Sequence, residues 1–164
     1  MLRKILILSL LCCIASGCFV SEIIGRSFKP NTNIGAFRIV DTTKMYNLIS
    51  HKETEYGTVH QYHNKFVLKF YPNGRVGKFP YPDSSDIDAL NPNKRRKGGM
   101  FNYDGKKILI QYRYNNPQSS GFSIEQIVKS TGDTLQIQLD NFLSTYRAIN
   151  IPKNIRKHKA NWTW

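Results

Sequence analysis

Cysteine is scarce in this chain of 164 residues, and the few that occur stand together near the amino terminus. They are Cys12, Cys13 and Cys18. The sequence beyond them has no thiol for a disulfide framework or for a cysteine nucleophile. The fold must therefore depend on an ordinary hydrophobic core, for which 40% of apolar residues is sufficient.

Acidic residues are also few, with 11 Asp and Glu against 24 Lys and Arg. A chain of this net charge, +13, is attracted to polyanions such as anionic lipid head groups, lipopolysaccharide or acidic glycans. Nucleic acid is not the expected partner, because no nucleic-acid-binding motif is present and residues 3–17 have the positive, apolar and small order of an export signal. An acidic component of the cell envelope is therefore the expected partner.

Long hydrophobic runs are absent apart from one at the amino terminus, Ile5–Ile14. It is about ten residues long, whereas a membrane-spanning helix needs about 20. Arg3 and Lys4 precede it and the small residues Ala15–Gly17 follow it, which is the order of a secretory signal peptide. A buried core helix is the alternative, but the position, the preceding charges and the lack of a polar face disfavour it.

The segment Ala15-Ser16-Gly17-Cys18 resembles the lipobox of bacterial lipoproteins, although leucine is commonest at the place of Ala15. The resemblance implies a signal peptide over residues 1–17, cleavage before Cys18, and a lipid on the Cys18 thiol. Pro30–Asn33 and Gly35 break regular structure, which predicts a lipidated tether over residues 18–35. The expected location is the bacterial envelope, on the outer membrane and facing the periplasm. Ordinary secretion, with Cys18 incidental, is the alternative.

Beyond the tether, apolar residues recur with period two, which is typical of strands with one buried face. The first clear face contains Ile108, Ile110, Tyr112 and Tyr114, and Thr134–Asp140 also alternates strictly. Two further apolar faces are Phe66, Leu68 and Phe70, and Phe122, Ile124 and Val128. Weaker strands are predicted at Phe37–Asp41, Lys44–Ile49 and Gly57–Tyr62, a last strand at Tyr146–Ile151, and a short helical turn at Ser84–Leu90.

Three turn signals separate these segments, namely Tyr71–Gly74, Asp104-Gly105 and Gly132-Asp133. Proline presets φ for a turn and glycine accepts the positive φ that follows, so each signal predicts a tight connection. Consecutive hairpins of this kind predict an all-β antiparallel meander. Such a meander forms either a barrel or a β-sandwich.

Together, the Lys69–Val76 segment, the Gly99–Tyr103 strand with its hairpin and the Gly132–Leu135 hairpin resemble the small lipocalin-like lipoproteins of Bacteroidetes-type bacteria. The resemblance implies a lipocalin-like β-barrel over residues 36–152, followed by a basic carboxyl-terminal tail over residues 153–164. The sequence lacks the glycine-x-tryptophan start of true lipocalins. A β-sandwich stays the alternative fold.

No catalytic constellation is visible, so the chain is predicted to bind rather than to catalyse, without a metal or a cofactor. A small apolar or amphiphilic ligand inside the barrel is the first hypothesis. The residues assigned to it are Phe70, Ile110, Tyr112 and Ile137. The alternative is that these side chains simply fill the barrel, since eight strands leave little room.

Four consecutive cations, Lys94, Arg95, Arg96 and Lys97, are the sharpest local feature of the sequence. They predict a loop that binds phosphate head groups or another acidic envelope component. The second hypothesis is therefore a structural or interaction module that recognises an acidic partner. A loop whose charges only keep the protein soluble is the alternative.

Overall fold

The computed structural model of the protein describes residues 34–116 and 119–159. These residues form one antiparallel sheet of nine strands. The strands are β1 (Lys44–Glu53), β2 (Val59–Gln61), β3 (Phe66–Phe70), β4 (Arg75–Pro80), β5 (Lys97–Tyr103), β6 (Ile108–Asn116), β7 (Ser119–Thr131), β8 (Thr134–Leu139) and β9 (Phe142–Asn150). Two 3₁₀ helices, Ile34–Arg38 and Pro92–Lys94, complete the elements. Among the described residues no helix is long and apolar enough to cross a membrane.

The sheet closes into a barrel, because β1 also pairs with β9 from Lys44↔Asn150 to Glu53↔Phe142. β3 pairs with the first half of β1 and β2 with the second half, so β2 and β3 lie end to end along one edge. Asn64, with a φ of 50°, lies in the short break between them. β2 and β3 together occupy one strand position, so the nine strands form a closed ring of eight strand positions. The predicted antiparallel β-barrel is confirmed, and the sandwich alternative is excluded because a closed ring leaves no second sheet.

The predicted turns are confirmed. Gly74 has a φ of 78° and Gly105 a φ of 98°, conformations that residues with a Cβ rarely adopt. The Gly74 amide donates to the Tyr71 carbonyl at 3.1 Å and so closes the turn between β3 and β4. Local chain chemistry thus determines where the strands reverse.

One end of the barrel, the plugged end, is closed by the Ile34–Arg38 helix and the residues that follow it. Ala36 and Val40 are fully buried in the barrel core, and the Phe37 ring meets Phe101 edge to face at 6.4 Å. The strand predicted at Phe37–Asp41 is therefore wrong. This segment folds inward across the barrel and buries its apolar side chains there, so that it does not need a neighbouring strand.

The apolar face predicted for β7 is also wrong. Ile124 and Val128 are 49% and 42% exposed on the outside of the barrel. Glu125 pairs with Ile110 across the β6–β7 ladder, so Glu125 shares the inward face of Ile110. Directly paired antiparallel residues point to the same side of the sheet, and register therefore overrides the apolar pattern of β7.

A second apolar cluster lies on the outside of the barrel, where the segment after β9 packs over β1, β3 and β4. Its buried members are Met45, Val67, Tyr71, Phe79, Ala89, Leu90 and Ile155. The predicted Ser84–Leu90 helical turn is a series of tight turns in this region. The Arg156 amide donates to the Ile87 carbonyl at 2.7 Å and so ties the carboxyl-terminal segment to those turns.

Candidate functional site: a barrel cavity and an outer groove

A cavity of about 240 Å³ lies inside the barrel at the end opposite the plug. We call it the barrel cavity. It is lined by Leu48, His51, Tyr62, Lys65, Phe66, Lys78, Glu125, Ile137, Leu139, Ser144 and Tyr146. This volume equals that of about eight molecules of liquid water at ~30 Å³ each. The cavity therefore suits a small molecule or one end of a longer one.

Three cations surround the Phe66 ring at the entrance of the barrel cavity. The Lys78 and Lys65 ammonium groups lie 5.2 and 5.6 Å from the ring centre, and the Arg96 guanidinium lies 5.0 Å from it. Glu125 is the one carboxylate among the described residues that line the cavity. The entrance is therefore electropositive.

Lys97 lies beside this group and is held in place by three neighbours. Its ammonium group donates to the Ser123 hydroxyl at 2.9 Å, lies 3.9 Å from the Glu125 carboxylate, and lies 4.5 Å from the Tyr112 ring centre. Gly99 makes room for that ring, because a Cβ at Gly99 would lie 2.7 Å from it. Lys97 and Glu125 thus form a partly buried pair below the entrance.

Burial shifts the pKa values of Lys78 and Glu125 in the barrel cavity so that the neutral form of each is favoured. Desolvation, followed by the neighbouring Lys97 and Lys65, lowers the pKa of Lys78, although Glu125 opposes this. Desolvation also raises the pKa of Glu125, against the opposing effect of Lys97 and Lys78. An acidic ligand beside Lys78 would restore part of the interaction that its ammonium group loses on leaving water.

Neutral polar groups complete the cavity. The His51 Nδ1 lies 2.9 Å from the Ser144 hydroxyl, and the His51 ring stacks on Phe142 at 4.9 Å. Burial lowers the pKa of His51, so the ring is neutral near pH 7. The cavity therefore offers hydrogen-bonding groups and cations around an apolar wall.

A larger depression of about 460 Å³, the outer groove, lies outside the barrel between the start of β1, the β3–β4 turn and the carboxyl-terminal segment. It is lined by Thr42, Thr43, Lys69, Tyr71, Pro72, Asn73, Leu90, Ile151, Arg156, Lys157, His158 and Lys159. Its volume lies within the 300–1,000 Å³ that is usual for small-molecule sites.

Lys69 is the buried cation of the outer groove, with 7% of its surface exposed. Its ammonium group donates to the carbonyl of Lys44 at 3.1 Å and to the carbonyl of Thr42. Burial lowers its pKa to about 8, Asp41 acts in the opposite direction, and Lys157 adds to the lowering.

The lowered pKa of Lys69 makes stability depend on pH. Between pH 8 and the ordinary Lys value of 10.5, the unfolded chain binds more protons than the folded chain, so stability rises with pH. The charged Lys69 side chain destabilises the folded state by its full amount below pH 8, and this contribution disappears as the pH rises to 10.5. We expect wild type to gain roughly 3 kcal/mol relative to Lys69→Met across this window, measured by urea unfolding. A difference between wild type and Lys69→Met that stays flat across this window would contradict the assignment.

The four residues predicted to bind a ligand all belong to the barrel core. Phe70, Ile110 and Tyr112 are fully buried, and Ile137 is 2% exposed. Ile137 lines the barrel cavity, whereas the other three line neither the cavity nor the groove. A ligand contact for these residues stays a prediction.

The four predicted anion-binding cations do not stand together. Lys94 pairs with Asp86 at 2.7 Å, and the Arg95 side chain donates to the Pro92 carbonyl. Arg96 instead lies at the Phe66 ring at the entrance of the barrel cavity, and Lys97 lies below the entrance beside Glu125. Lys97 begins β5, so the predicted loop ends one residue earlier than expected. Recognition of an acidic partner through this run stays a prediction.

Sequence reasoning missed Lys78 and Glu125, which supply charge to the barrel cavity. The available signal was the alternation Ser123–Glu125–Ile127, which lies opposite the inward face of β6. It could be used only once the β6–β7 register was known, because Phe122, Ile124 and Val128 form the more apolar set.

Cys18 and the predicted signal peptide lie outside the described residues, as do Trp162 and Trp164. The predicted lipid anchor therefore rests on the sequence alone.

Within residues 34–116 and 119–159, no three His, Cys, Asp or Glu side chains are grouped so that they could hold a metal ion.

No protein-family model matches the chain, and no curated protein shows a significant match. One solved structure that it resembles is described as a lipocalin-like protein from Bacteroides uniformis ATCC 8492. The two are 12% identical with a TM-score of 0.45, over 66% of this chain and 98% of the other. The barrel assignment rests on the strand pairing described above and not on this likeness.

Proposed function

We propose that this chain is a bacterial envelope lipoprotein, anchored through Cys18, whose barrel cavity binds a small amphiphilic acid. The protein acts by binding and not by catalysis. The observation that carries the ligand proposal is the set of three cations, Lys65, Lys78 and Arg96, around the Phe66 ring at the entrance of a cavity that has an apolar wall.

The ligand is an acid because cations outnumber carboxylates at the entrance. Glu125 is shared between Lys97, at 3.9 Å, and Lys78, whose pKa it raises. The ligand is amphiphilic because Leu48 and Ile137 continue the cavity into the barrel core. A carboxylate at the entrance, with a short alkyl chain directed inward, satisfies both conditions.

Hexanoate binding tests the proposal, with opposite effects expected from two substitutions. Lys78→Met removes a cation and should weaken hexanoate about tenfold, since a hydrogen bond to a charged group contributes about 1.5–3 kcal/mol. Glu125→Gln removes the competing carboxylate and should strengthen binding about threefold, an effect of under 1 kcal/mol. Isothermal titration calorimetry on the purified Cys18→Ser protein measures both.

Lys129→Met is the matched control and should bind hexanoate as wild type does, because Lys129 is exposed on β7. If both Lys78→Met and Glu125→Gln bind hexanoate more weakly than wild type, Lys78 and Glu125 support the fold and do not select an acid. Equal binding of hexanoate and hexanol by wild type would contradict an acid-binding site.

A further inference from the structure

The outer groove is built from two parts of the chain that are fastened together. Ile155, 4% exposed, anchors the carboxyl-terminal wall in the second apolar cluster. His158 Nε2 lies 3.1 Å from Asp88, and the Arg156 amide donates to Ile87 at 2.7 Å. A wall held in this way is formed before a ligand arrives, which lowers the entropy lost on binding.

The floor of the outer groove is apolar and its rim is cationic. Tyr71, Leu90 and Ile151 contribute ring and aliphatic surface, while Lys157 and Lys159 stand at the edge. No carboxylate is among the described residues that line it. The charge of the groove is thus complementary to an acid, and its floor is complementary to an alkyl chain.

Lys69 places a cation at the groove and forms no salt bridge with a described residue. Its ammonium group donates two hydrogen bonds to backbone carbonyls and lies 5.7 Å from the centre of the Tyr71 ring, and no described oxygen or nitrogen accepts its third N–H. Asp41 attracts Lys69 and raises its pKa without pairing with it, and the Asp41 Oδ1 accepts from the Thr43 amide at 2.7 Å and the Thr43 hydroxyl at 2.6 Å. A buried ammonium group of this kind is costly unless an anion approaches it.

We propose that the outer groove is a second binding site, which takes the acidic head and the first methylenes of a single-chain amphiphile. The head is a carboxylate or a phosphate monoester that accepts from Lys69, with Lys157 beside it. The volume of about 460 Å³ corresponds to about fifteen molecules of liquid water at ~30 Å³ each, which is too small for a lipid with two long chains. This site does not depend on the ligand of the barrel cavity.

Decanoate and decyl phosphate, below their micellar concentrations, are the probes for calorimetry on the purified Cys18→Ser protein. We expect Lys69→Met to weaken both about tenfold or more, and Lys157→Gln, at an exposed residue, to weaken them about threefold. Lys129→Met, at an exposed position of β7, is the matched control and should leave their affinity unchanged. Decanol, which lacks the acid, should bind more weakly than either probe.

The outcomes separate the two sites. If Lys69→Met binds decanoate as wild type does, the outer groove is not the site and the proposal fails. If Lys78→Met lowers the decanoate affinity and Lys69→Met does not, decanoate occupies the barrel cavity. The proposal for the barrel cavity then stands, and the proposal for the outer groove fails. Binding to vesicles of phosphatidylglycerol without any response to soluble decanoate would assign the groove to a membrane surface and overturn the proposal.

Discussion

Phe70→Ala should lower the free energy of unfolding by about 3–5 kcal/mol, a large part of the 5–15 kcal/mol that is typical of a whole domain. Phe70 is fully buried and lies between two other rings. It meets Tyr46 edge to face at 5.5 Å and Phe101 at 5.4 Å. Alanine would remove both contacts and leave a cavity that the closed ring of strands cannot collapse to fill. Urea unfolding followed by circular dichroism measures the change.

Phe142→Ala is the matched control for this substitution, since it removes the same atoms from a residue that is 37% exposed. It loses the stacking on His51 and should cost about 1 kcal/mol or less. Phe70→Leu keeps most of the volume and allows the measurement even where the alanine variant does not fold. Equal losses at Phe70 and Phe142 would contradict the placement of Phe70 at the centre of the barrel.

Cys18→Ser is expected to release the protein completely from the membrane fraction. The physical reason is the number of buried methylenes, because each contributes about 0.8 kcal/mol and several acyl chains on one residue give firm attachment. Serine lacks the thiol that receives the lipid. Intact mass and cell fractionation, performed together, should show a lipid-sized increase in wild type and its loss in the variant.

Cys12→Ser and Cys13→Ser are the controls for the anchor. Both residues lie in the segment predicted to be removed, so the mature mass and the membrane attachment should match wild type. A soluble mature protein with a free Cys18 thiol would contradict the anchor and would leave the barrel cavity proposal standing.

The strands of this protein follow from short-range chemistry and could be predicted. Ile108, Ile110 and Tyr112 recur with period two, and the structure buries all three inside the barrel. The positive φ of Gly74 and of Gly105 shows why hairpins form where the sequence predicts them. In each case a few neighbouring residues contain the whole signal.

The candidate site could be predicted only in part, because its members come from strands far apart in sequence. Ile137 was predicted from alternation and does line the barrel cavity. Lys78 and Glu125 meet there because β4 and β7 contribute to the same end of the barrel, and no local pattern reveals that. Arg96 and Lys97 were predicted as one patch with Lys94 and Arg95. In the structure Lys94 pairs with Asp86 and Arg95 donates to Pro92, whereas Arg96 and Lys97 lie beside Phe66 and Glu125.

The sequence by itself determined the all-β class, the strand order of the meander and the expected export signal, since these depend on periodicity, turn residues and a short ordered segment. Tertiary structure decided the rest. Pairing of β1 with β9 closed the ring, and the β6–β7 register turned Glu125 inward and Ile124 outward. Packing of Ile155 against the outer cluster places the carboxyl-terminal segment as one wall of the outer groove. Burial and charge at these sites arise only when distant segments meet, which is the physical reason that the sequence pattern could not contain them.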